Sequence, residues 1–297
     1  MDITIVIPIY NRKTFIRETL ASIDACYPVI LVDNGSTDGS FELCSEIVAE
    51  RKNTVLVTEP KRGAAAARNK GLSLCKTRWV SFFDSDDIFT GLPESWNEKA
   101  DMVFVPTRMD VNGQLCIRAY KVSASPSAQI LSSTLNTQGM LFRTDFLLNI
   151  GGWNDNCLIW NDWELGIRAL FCSPRIDWIT NSPHHIIKRH SDSITGDSFS
   201  SRAGGILNTL GIVFNEIHDS SITDKEKRKA FAALFYRCYI LSGKMLREGD
   251  GESSARVDEF IYDRFRVNRQ SHLMGQMFRW ATSKGVRGVW RIALRIV

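Results

Sequence analysis

The chain reads as an α/β protein in which a mostly parallel, Rossmann-like sheet flanked by helices is followed by a helical C-terminal extension. Three observations lead there. Apolar, β-branched runs alternate with helical spacings through the first hundred residues, the pattern of a parallel sheet covered by helices. Three of those runs stop abruptly in polar or acidic residues, and ligands of such sheets bind at the carboxyl ends of the strands. From about Gly204 the alternation gives way to helical periodicity alone.

Taken in order, Ile3-Thr-Ile-Val-Ile-Pro8-Ile-Tyr10-Asn11 reads as a central strand that ends where Pro8 cannot donate to a ladder. Phe15, Ile16, Leu20 and Ile23 have helical spacing. Val29–Val32 forms a second buried strand, which stops at Asp33-Asn34-Gly35-Ser36. Phe41–Glu50 is helical, Thr54–Thr58 a strand, and Gly63–Leu74 an Ala-rich helix before the strand that begins at Val80. Beyond Gly204, Ile206, Leu210, Val213, Phe214 and Ile217 share one face, and Phe231, Leu234, Phe235, Cys238, Tyr239 and Met245 another. Thr223-Asp-Lys-Glu226 matches a capping box, and Val257, Phe260, Ile261 and Phe265 continue the helical theme.

Composition narrows the function classes. At 297 residues and 44% hydrophobic content, the chain suits one large α/β domain with a smaller appendage. The formal charge is +4, but eight basic residues from Arg264 to Arg295 lie beyond Asp263, the last acidic residue, and the remainder is net negative. Basicity is therefore local to the C-terminus and gives no argument for a nucleic-acid partner. The 7 cysteines are odd in number and contain no C-x-x-C pair, which disfavours a disulfide framework and a zinc knuckle and fits a reducing cytoplasm. The apolar start is too short for a signal sequence, and no run approaches the length of a membrane span.

The most informative stretch is Val80-Ser-Phe-Phe-Asp84-Ser85-Asp86-Asp87, where a buried strand runs into three carboxylates. Crowded negative charge at a strand end calls for compensation, and Mg²⁺ or Mn²⁺ supplies it with one or two carboxylates and phosphate oxygens as ligands. Asp84 and Asp86 are thus candidate ligands of a metal and a diphosphate; the plainer alternative is an acidic loop that caps a helix. A nucleotide needs an aromatic or amide surface, a carboxylate and a phosphate-bound cation in spatial sequence. The ends at Pro8-Ile-Tyr10-Asn11, Asp33-Asn34 and Asp84–Asp87 offer these in order, and Arg68 in the Ala-rich helix adds a cation. Neither a G-x-G-x-x-G nor a P-loop pattern follows a strand.

These blocks together resemble the inverting glycosyltransferases of family 2, with the GT-A fold. The resemblance is carried by Ile5-Val-Ile-Pro-Ile-Tyr-Asn11, Val32-Asp-Asn-Gly-Ser-Thr-Asp-Gly39, Gly63-Ala-Ala-Ala-Ala-Arg-Asn-Lys-Gly71 and Phe83-Asp-Ser-Asp-Asp87. It extends through Gly139–Arg143, Gly151-Gly152-Trp153, Asn161-Asp162-Trp-Glu164 and Arg189-His190-Ser-Asp-Ser193, roughly two thirds of the chain. It implies a catalytic domain over 1–202, with a nucleotide-binding half at 1–105 and an acceptor half at 106–202, then a helical extension over 203–297. Pro8, Tyr10, Asn11, Asp33, Arg68, Asp84 and Ser85 would hold the donor, Asp86 with Asp84 the Mn²⁺ or Mg²⁺, and Arg189 and His190 the diphosphate or metal, unless that pair is a solvated basic turn. Gly152 and Trp153 would face the acceptor; the alternative for Trp153 is an ordinary core aromatic.

An inverting transfer needs one base for the attacking hydroxyl. Asp162 opens a helical pattern, where the macrodipole favours negative charge. The family pairs Glu-Asp at this place; here the pair is Asn161-Asp162, which keeps the aspartate, and Asp162 is preferred to Glu164. The alternative is an Asp that caps its own helix. His184, His185 and His190 lack the i, i+4 spacing of a metal-binding helix pair.

In the final segment Val286, Val289, Trp290, Ala293, Leu294 and Val297 oppose Arg287, Arg291 and Arg295. Such a helix either lies in a membrane interface or docks on the domain with its arginines in water. The first reading is preferred, because enzymes of this resemblance often use lipid-linked acceptors.

The expectation is a metal-dependent glycosyltransferase, a hexosyl- or N-acetylhexosaminyl-transferase of glycan biosynthesis. It would move a sugar from a nucleotide diphosphate, a UDP-sugar first, to a saccharide or lipid-linked acceptor in the cytoplasm or on the cytoplasmic face of the membrane. Two alternatives are a catalytically silent nucleotide- or carbohydrate-binding scaffold, and a sugar-phosphate nucleotidyltransferase. The latter should carry a Gly-rich loop after the first strand, and Tyr10-Asn11-Arg12-Lys13 lacks the glycines.

Overall fold

The computed structural model describes residues 2–111, 113–117, 123–180, 183, 185–188 and 198–297. The chain forms two compact units, one from 1–122, 135–156 and 173–191, the other from 123–134, 157–172 and 192–297. The units interleave along the sequence. Two stretches of the expected acceptor half belong with the C-terminal helices.

In the first unit the path runs β1 (Ile3–Ile9), α1 (Ile16–Ser22), β2 (Val29–Asp33), α2 (Ser40–Glu50), β3 (Thr54–Thr58), α3 (Ala64–Leu74) and β4 (Trp79–Phe82). After β5 (Ile88–Phe89), β6 (Met102–Phe104), β7 (Arg108–Val111) and β8 (Gln114–Ile117), the chain contributes α4 (Pro126–Ser132) to the second unit. It returns through a 3₁₀ turn (Thr137–Gly139) into β9 (Met140–Arg143) and α5 (Thr144–Asn149). It then gives α6 (Asn161–Phe171) to the second unit and re-enters the first as β10 (Ile176–Trp178) and β11 (His185–Ile187).

The main sheet has the order β10-β6-β9-β4-β1-β2-β3. Its strands are parallel except β9, which runs antiparallel to β4 and β6. The mostly parallel sheet is as expected, and β1 is buried along nearly its whole length because both faces are covered. Ile5, Ile7 and Ile9 pack with Ile16 and Leu20 of α1 and Cys44 of α2. Val6 points the other way, towards α3, where Gly71 comes so close that an added Cβ would lie 2.3 Å from Val6 Cγ1. Pro8 does not end β1. Alternation turns its nitrogen to the β4 side, where the last paired residues are Val6 and Phe82, so the missing N–H leaves no gap in the ladder.

A second sheet, β5-β11-β7-β8, has mixed strand directions and was not foreseen. Its strands are two to four residues long. Segments so short carry too few alternations to register as strands in the sequence.

The second unit is helical: α4, α6, α7 (Ala203–Asp219), α8 (Asp224–Arg247), α9 (Gly251–Arg264), α10 (Arg269–Ser283) and α11 (Val289–Ile296). α8 opens with the expected capping box, Thr223 and Glu226 each satisfying the other's backbone N–H. Ile206, Leu210, Val213 and Ile217 of α7 join Leu234, Phe235, Cys238 and Tyr239 of α8 in one core. Val289 and Ala293 of α11 are buried in that core, so this face of the helix is occupied by packing and is not available to lipid. No helix among the described residues is long and apolar enough to cross a membrane.

Candidate active site

β4, β1 and β2 are neighbours in the sheet, so the loops that leave their carboxyl ends start side by side. Phe83 N still donates to Val6 O, and Asp84 is the first residue beyond the ladder. Asp84 accepts from Arg68 Nη2 at 2.9 Å and from Gln138 Nε2 at 2.5 Å. Asp86 lies 3.4 Å from Arg12 Nε. Asp87 is buried; it accepts from Lys188 N at 3.0 Å and from Gln138 Nε2 at 3.4 Å, and lies 3.7 Å from His185 Nε2. Burial, then repulsion by Asp84 and Asp86, holds the Asp87 carboxyl well above the usual carboxylate range. Ser85 is buried, and its carbonyl accepts from Thr19 Oγ1.

This turn is compensated in part by protein, since Arg12 and Arg68 each face one carboxylate. A cation is therefore not the sole means of tolerating the charge, contrary to the simplest expectation from the sequence. Among the described residues no group of three or more His, Cys, Asp or Glu could hold a metal ion. The donor set still fits a hard divalent cation, which takes one or two carboxylates and completes its shell with water and phosphate oxygens. Repulsion from Asp84 and Asp86, which adds to burial in raising the Asp87 carboxyl, is the part that such an ion would relieve.

Asp33 ends β2 with one oxygen committed and one not. Its Oδ2 accepts from Gly35 N at 3.0 Å and Ser36 N at 3.2 Å; its Oδ1 is buried and has no hydrogen-bond partner. A buried acceptor left open is costly unless a donor arrives from outside. Tyr10, 47% exposed, carries the Arg62 guanidinium 4.9 Å from its ring centroid. Asn11, in the left-handed region at φ +52°, accepts from Thr37 N at 2.8 Å and so ties the loop after β1 to the loop after β2. Asn34 clips the loop that bears Arg62, donating to Glu59 O and Lys61 O and accepting from Gly63 N.

Arg68, 6% exposed, lies 4.6 Å over the Trp153 ring, whose edge-on partner is Phe82. Trp153 is 2% exposed and offers no free face to a sugar, so the acceptor-stacking expectation gives way to a bracing role beneath Arg68. Gly152, at φ +65°, brings the backbone against α3, where a Cβ would meet Asn69 Oδ1 at 2.6 Å. Asn69 then holds the loop by accepting from Trp153 N and donating to Trp153 O. Gly152 is thus a docking point rather than an open surface.

Asp162 belongs to the second unit, in the first turn of α6, and accepts from Trp163 N at 2.9 Å. It is not the N-cap; that position is Trp160. Glu164 is fully buried and paired with Arg168, which removes it as a rival base. Arg189 and His190 lie outside the described residues, as does His184. Gln138, Arg12, Arg62 and His185 were not singled out as site residues from sequence. Each lies on a loop, a short turn or a short strand of the first unit, where spacing carries no signal.

Residues 4–104 match the model of a known family, glycosyl transferase family 2. The likeness to that family is carried by this segment, about a third of the chain. A glycosyltransferase of Streptococcus pneumoniae serotype 4, GlyG, is 41% identical over 91 residues, covering 29% of this chain and 30% of the relative. A putative teichuronic acid biosynthesis glycosyltransferase of Bacillus subtilis, TuaG, is 38% identical over 91 residues, 29% of this chain and 36% of the relative. The match thus spans about a third of each relative's length. Among solved structures, S. aureus TarS 1-349 in complex with UDP-GlcNAc superposes with a TM-score of 0.70 at 16% identity, covering 99% of this chain and 91% of that one. A Pyrobaculum calidifontis mannosyltransferase in complex with GDP-Man and Mn2+ gives 0.59 at 15%, covering 99% and 86%. The fold is of GT-A type.

Proposed function

We propose that the protein is an inverting glycosyltransferase that takes a nucleotide-diphosphate sugar, a UDP-sugar first, and transfers the sugar to a hydroxyl of a saccharide or lipid-linked acceptor. The observation that carries this reading is the open, buried Oδ1 of Asp33 beside Tyr10, in line with the acidic turn at Asp84–Asp87 on adjacent strand ends. Asp33 would accept from the base, and Tyr10 with Pro8 and Asn11 would frame it. Asp84 and Asp86 would hold Mn²⁺ or Mg²⁺, which when bound offsets the charge of a diphosphate. Arg68, fixed by Trp153, and Ser85 would line the same end, with Arg189 and His190 at the diphosphate. The TarS complex with UDP-GlcNAc and the mannosyltransferase complex with GDP-Man support a nucleotide-sugar donor by likeness of fold.

The reaction is a single displacement. The acceptor oxygen bonds to the anomeric carbon as the bond from that carbon to the diphosphate oxygen breaks. Asp162 takes the hydroxyl proton, and the electron pair leaves with the nucleoside diphosphate. Asp162→Asn tests this. A transferase keeps donor affinity and loses transfer at least a hundredfold; a variant that transfers at the wild-type rate contradicts the assignment.

Contact with an anionic membrane surface belongs to the same reading, through a face other than the one the sequence suggests. On α10, Leu273, Met277 and Trp280 are 52%, 62% and 64% exposed and project opposite the buried Gly275, Phe278 and Thr282. Arg269 and Lys284 flank that stripe, and Ile292 and Ile296 of α11 are 53% and 48% exposed beside Arg291 and Arg295. Apolar residues interleaved with cations and free of acids suit the boundary of an anionic bilayer. Seven free cysteines accord with a cytoplasmic setting.

A further inference from the structure

The second unit holds an aromatic and cationic cluster that the transfer chemistry does not use. Arg237 and Lys244 stand two turns apart on one face of α8. The Arg237 guanidinium lies 5.3 Å from the Trp160 ring centroid and 5.7 Å from that of Trp163. Lys244 Nζ lies 4.2 Å from the centroid of Phe199, and Arg202 Cζ 5.7 Å from the same ring. Trp160 joins the two halves, 5.7 Å from Trp163 and 6.4 Å from Phe199. Trp160, Phe199, Arg202, Arg237 and Lys244 are all half-buried.

Two of the cluster's cations, Arg237 and Lys244, stand without an acid among the described residues. Arg237 donates to Leu131 O and Ser133 Oγ, while its Nε is buried without a hydrogen-bond partner. Among the described residues no carboxylate lies within ion-pair distance of Arg237 or Lys244. The nearby acid, Glu248, is occupied: it accepts from Phe199 N, Ser200 N and Ser200 Oγ. Burial lowers the Arg237 guanidinium to about 10. Burial, then repulsion by Arg237 and Arg202, lowers the Lys244 ammonium to about 8, with Glu248 opposing. Desolvated cations without a counter-ion are costly, and a helix core needs only apolar residues at such positions. Trp160 adds a second anomaly, a bulky residue held in the left-handed region at φ +55°, where backbone strain tends to mark ligand sites.

We propose that this cluster binds the anionic group, phosphate or carboxylate, of a charged saccharide, the guanidinium and ammonium groups taking the oxyanion and the aromatic rings the sugar. That the saccharide is the acceptor rests on the transferase reading above, in which Asp162, next but one to Trp160 in the chain, is the base. That reading assigns the donor's diphosphate to the acidic turn of the first unit, whereas these residues all belong to the second.

The test is a binding assay on the full chain, read by tryptophan fluorescence, with glucose 6-phosphate, glucuronate and glucose at fixed ionic strength. At least one of the two anions binds tenfold or more tightly than glucose, and the preferred anion names the group. Lys244→Met weakens that anion at least tenfold, and Arg202→Gln, at the rim, weakens it three- to tenfold. UDP affinity, measured on the same samples, stays within twofold. Equal affinity for all three sugars overturns the proposal, as does a folded Lys244→Met that binds the anion like the wild type. If Lys244→Met does not fold, Arg202→Gln decides by the same criterion. Loss of UDP binding by the wild type would count against the transferase reading and not against the anion site.

Discussion

The Arg68 guanidinium rests 4.6 Å above the ring of Trp153 and reaches from there to Asp84. The tryptophan fixes the arginine, and the arginine fixes the first carboxylate of the acidic turn. Trp153→Ala therefore removes a buried ring and frees the guanidinium. It should destabilise the protein by about 3–5 kcal/mol, and Trp153→Phe by less. In urea titrations both midpoints fall in that order. A Trp153→Ala midpoint equal to the wild type would remove the brace from the account.

Gln138 is the neutral bridge between Asp84 and Asp87, donating to both from one amide nitrogen. Gln138→Glu replaces that donor with a fourth carboxylate. Near three acids its pKa rises, so the folded state is penalised above the ordinary glutamate pKa of about 4.3 and relieved below it. The variant should be less stable than the wild type by about 1–3 kcal/mol at pH 7.5, and the gap should close by pH 4. Melting curves at the two pH values check this; a gap independent of pH contradicts the electrostatic cause.

Lys244 titrates near 8, beside Arg237, Arg202, Glu248 and the Phe199 ring. Its folded pKa lies below the unfolded value, so the unfolded state binds more protons between about 8 and the ordinary lysine pKa of about 10.4. This residue's contribution to stability therefore rises with pH across that window. Affinity for the anionic saccharide moves the opposite way, full below pH 8 and falling as the ammonium loses its charge. Binding measured from pH 7 to 9.5 should drop for the wild type and stay flat for Lys244→Met.

The exposed stripe of α10 makes a separate claim. Met277→Asp and Trp280→Asp place acids in the middle of it without touching the buried face of the helix. Sedimentation with vesicles containing phosphatidylserine should fall at least fivefold in each, and the wild type should ignore purely zwitterionic vesicles. Unchanged sedimentation would leave the stripe without its assigned partner.

The sequence was most legible where chain chemistry is local. The strand endings at Tyr10, Asp33 and Asp84 could be found because an apolar run that breaks into polar residues marks a strand's end, and adjacency in a parallel sheet gathers them. The Thr223–Glu226 cap was legible for the same reason. Trp153 is harder to read, because a tryptophan after two glycines looks alike in sequence whether its ring meets a sugar or an arginine from α3. α10 went unnoticed because it is apolar on two opposite faces, which blurs the 3.6-residue period. Gln138 and the Trp160–Lys244 cluster depend on contacts between residues tens of positions apart, which no spacing rule records.

The central claim is that the ends of β1, β2 and β4 form one site for a nucleotide diphosphate and a divalent cation. Calorimetric titration of UDP into the wild type, Asp33→Asn and Asp86→Asn, with and without Mn²⁺, tests it most directly. The expected result is micromolar binding by the wild type only when Mn²⁺ is present, at least tenfold weaker binding by Asp33→Asn, and loss of the Mn²⁺ effect in Asp86→Asn. Binding of equal strength in all three proteins regardless of Mn²⁺, or no heat from any of them, would contradict it.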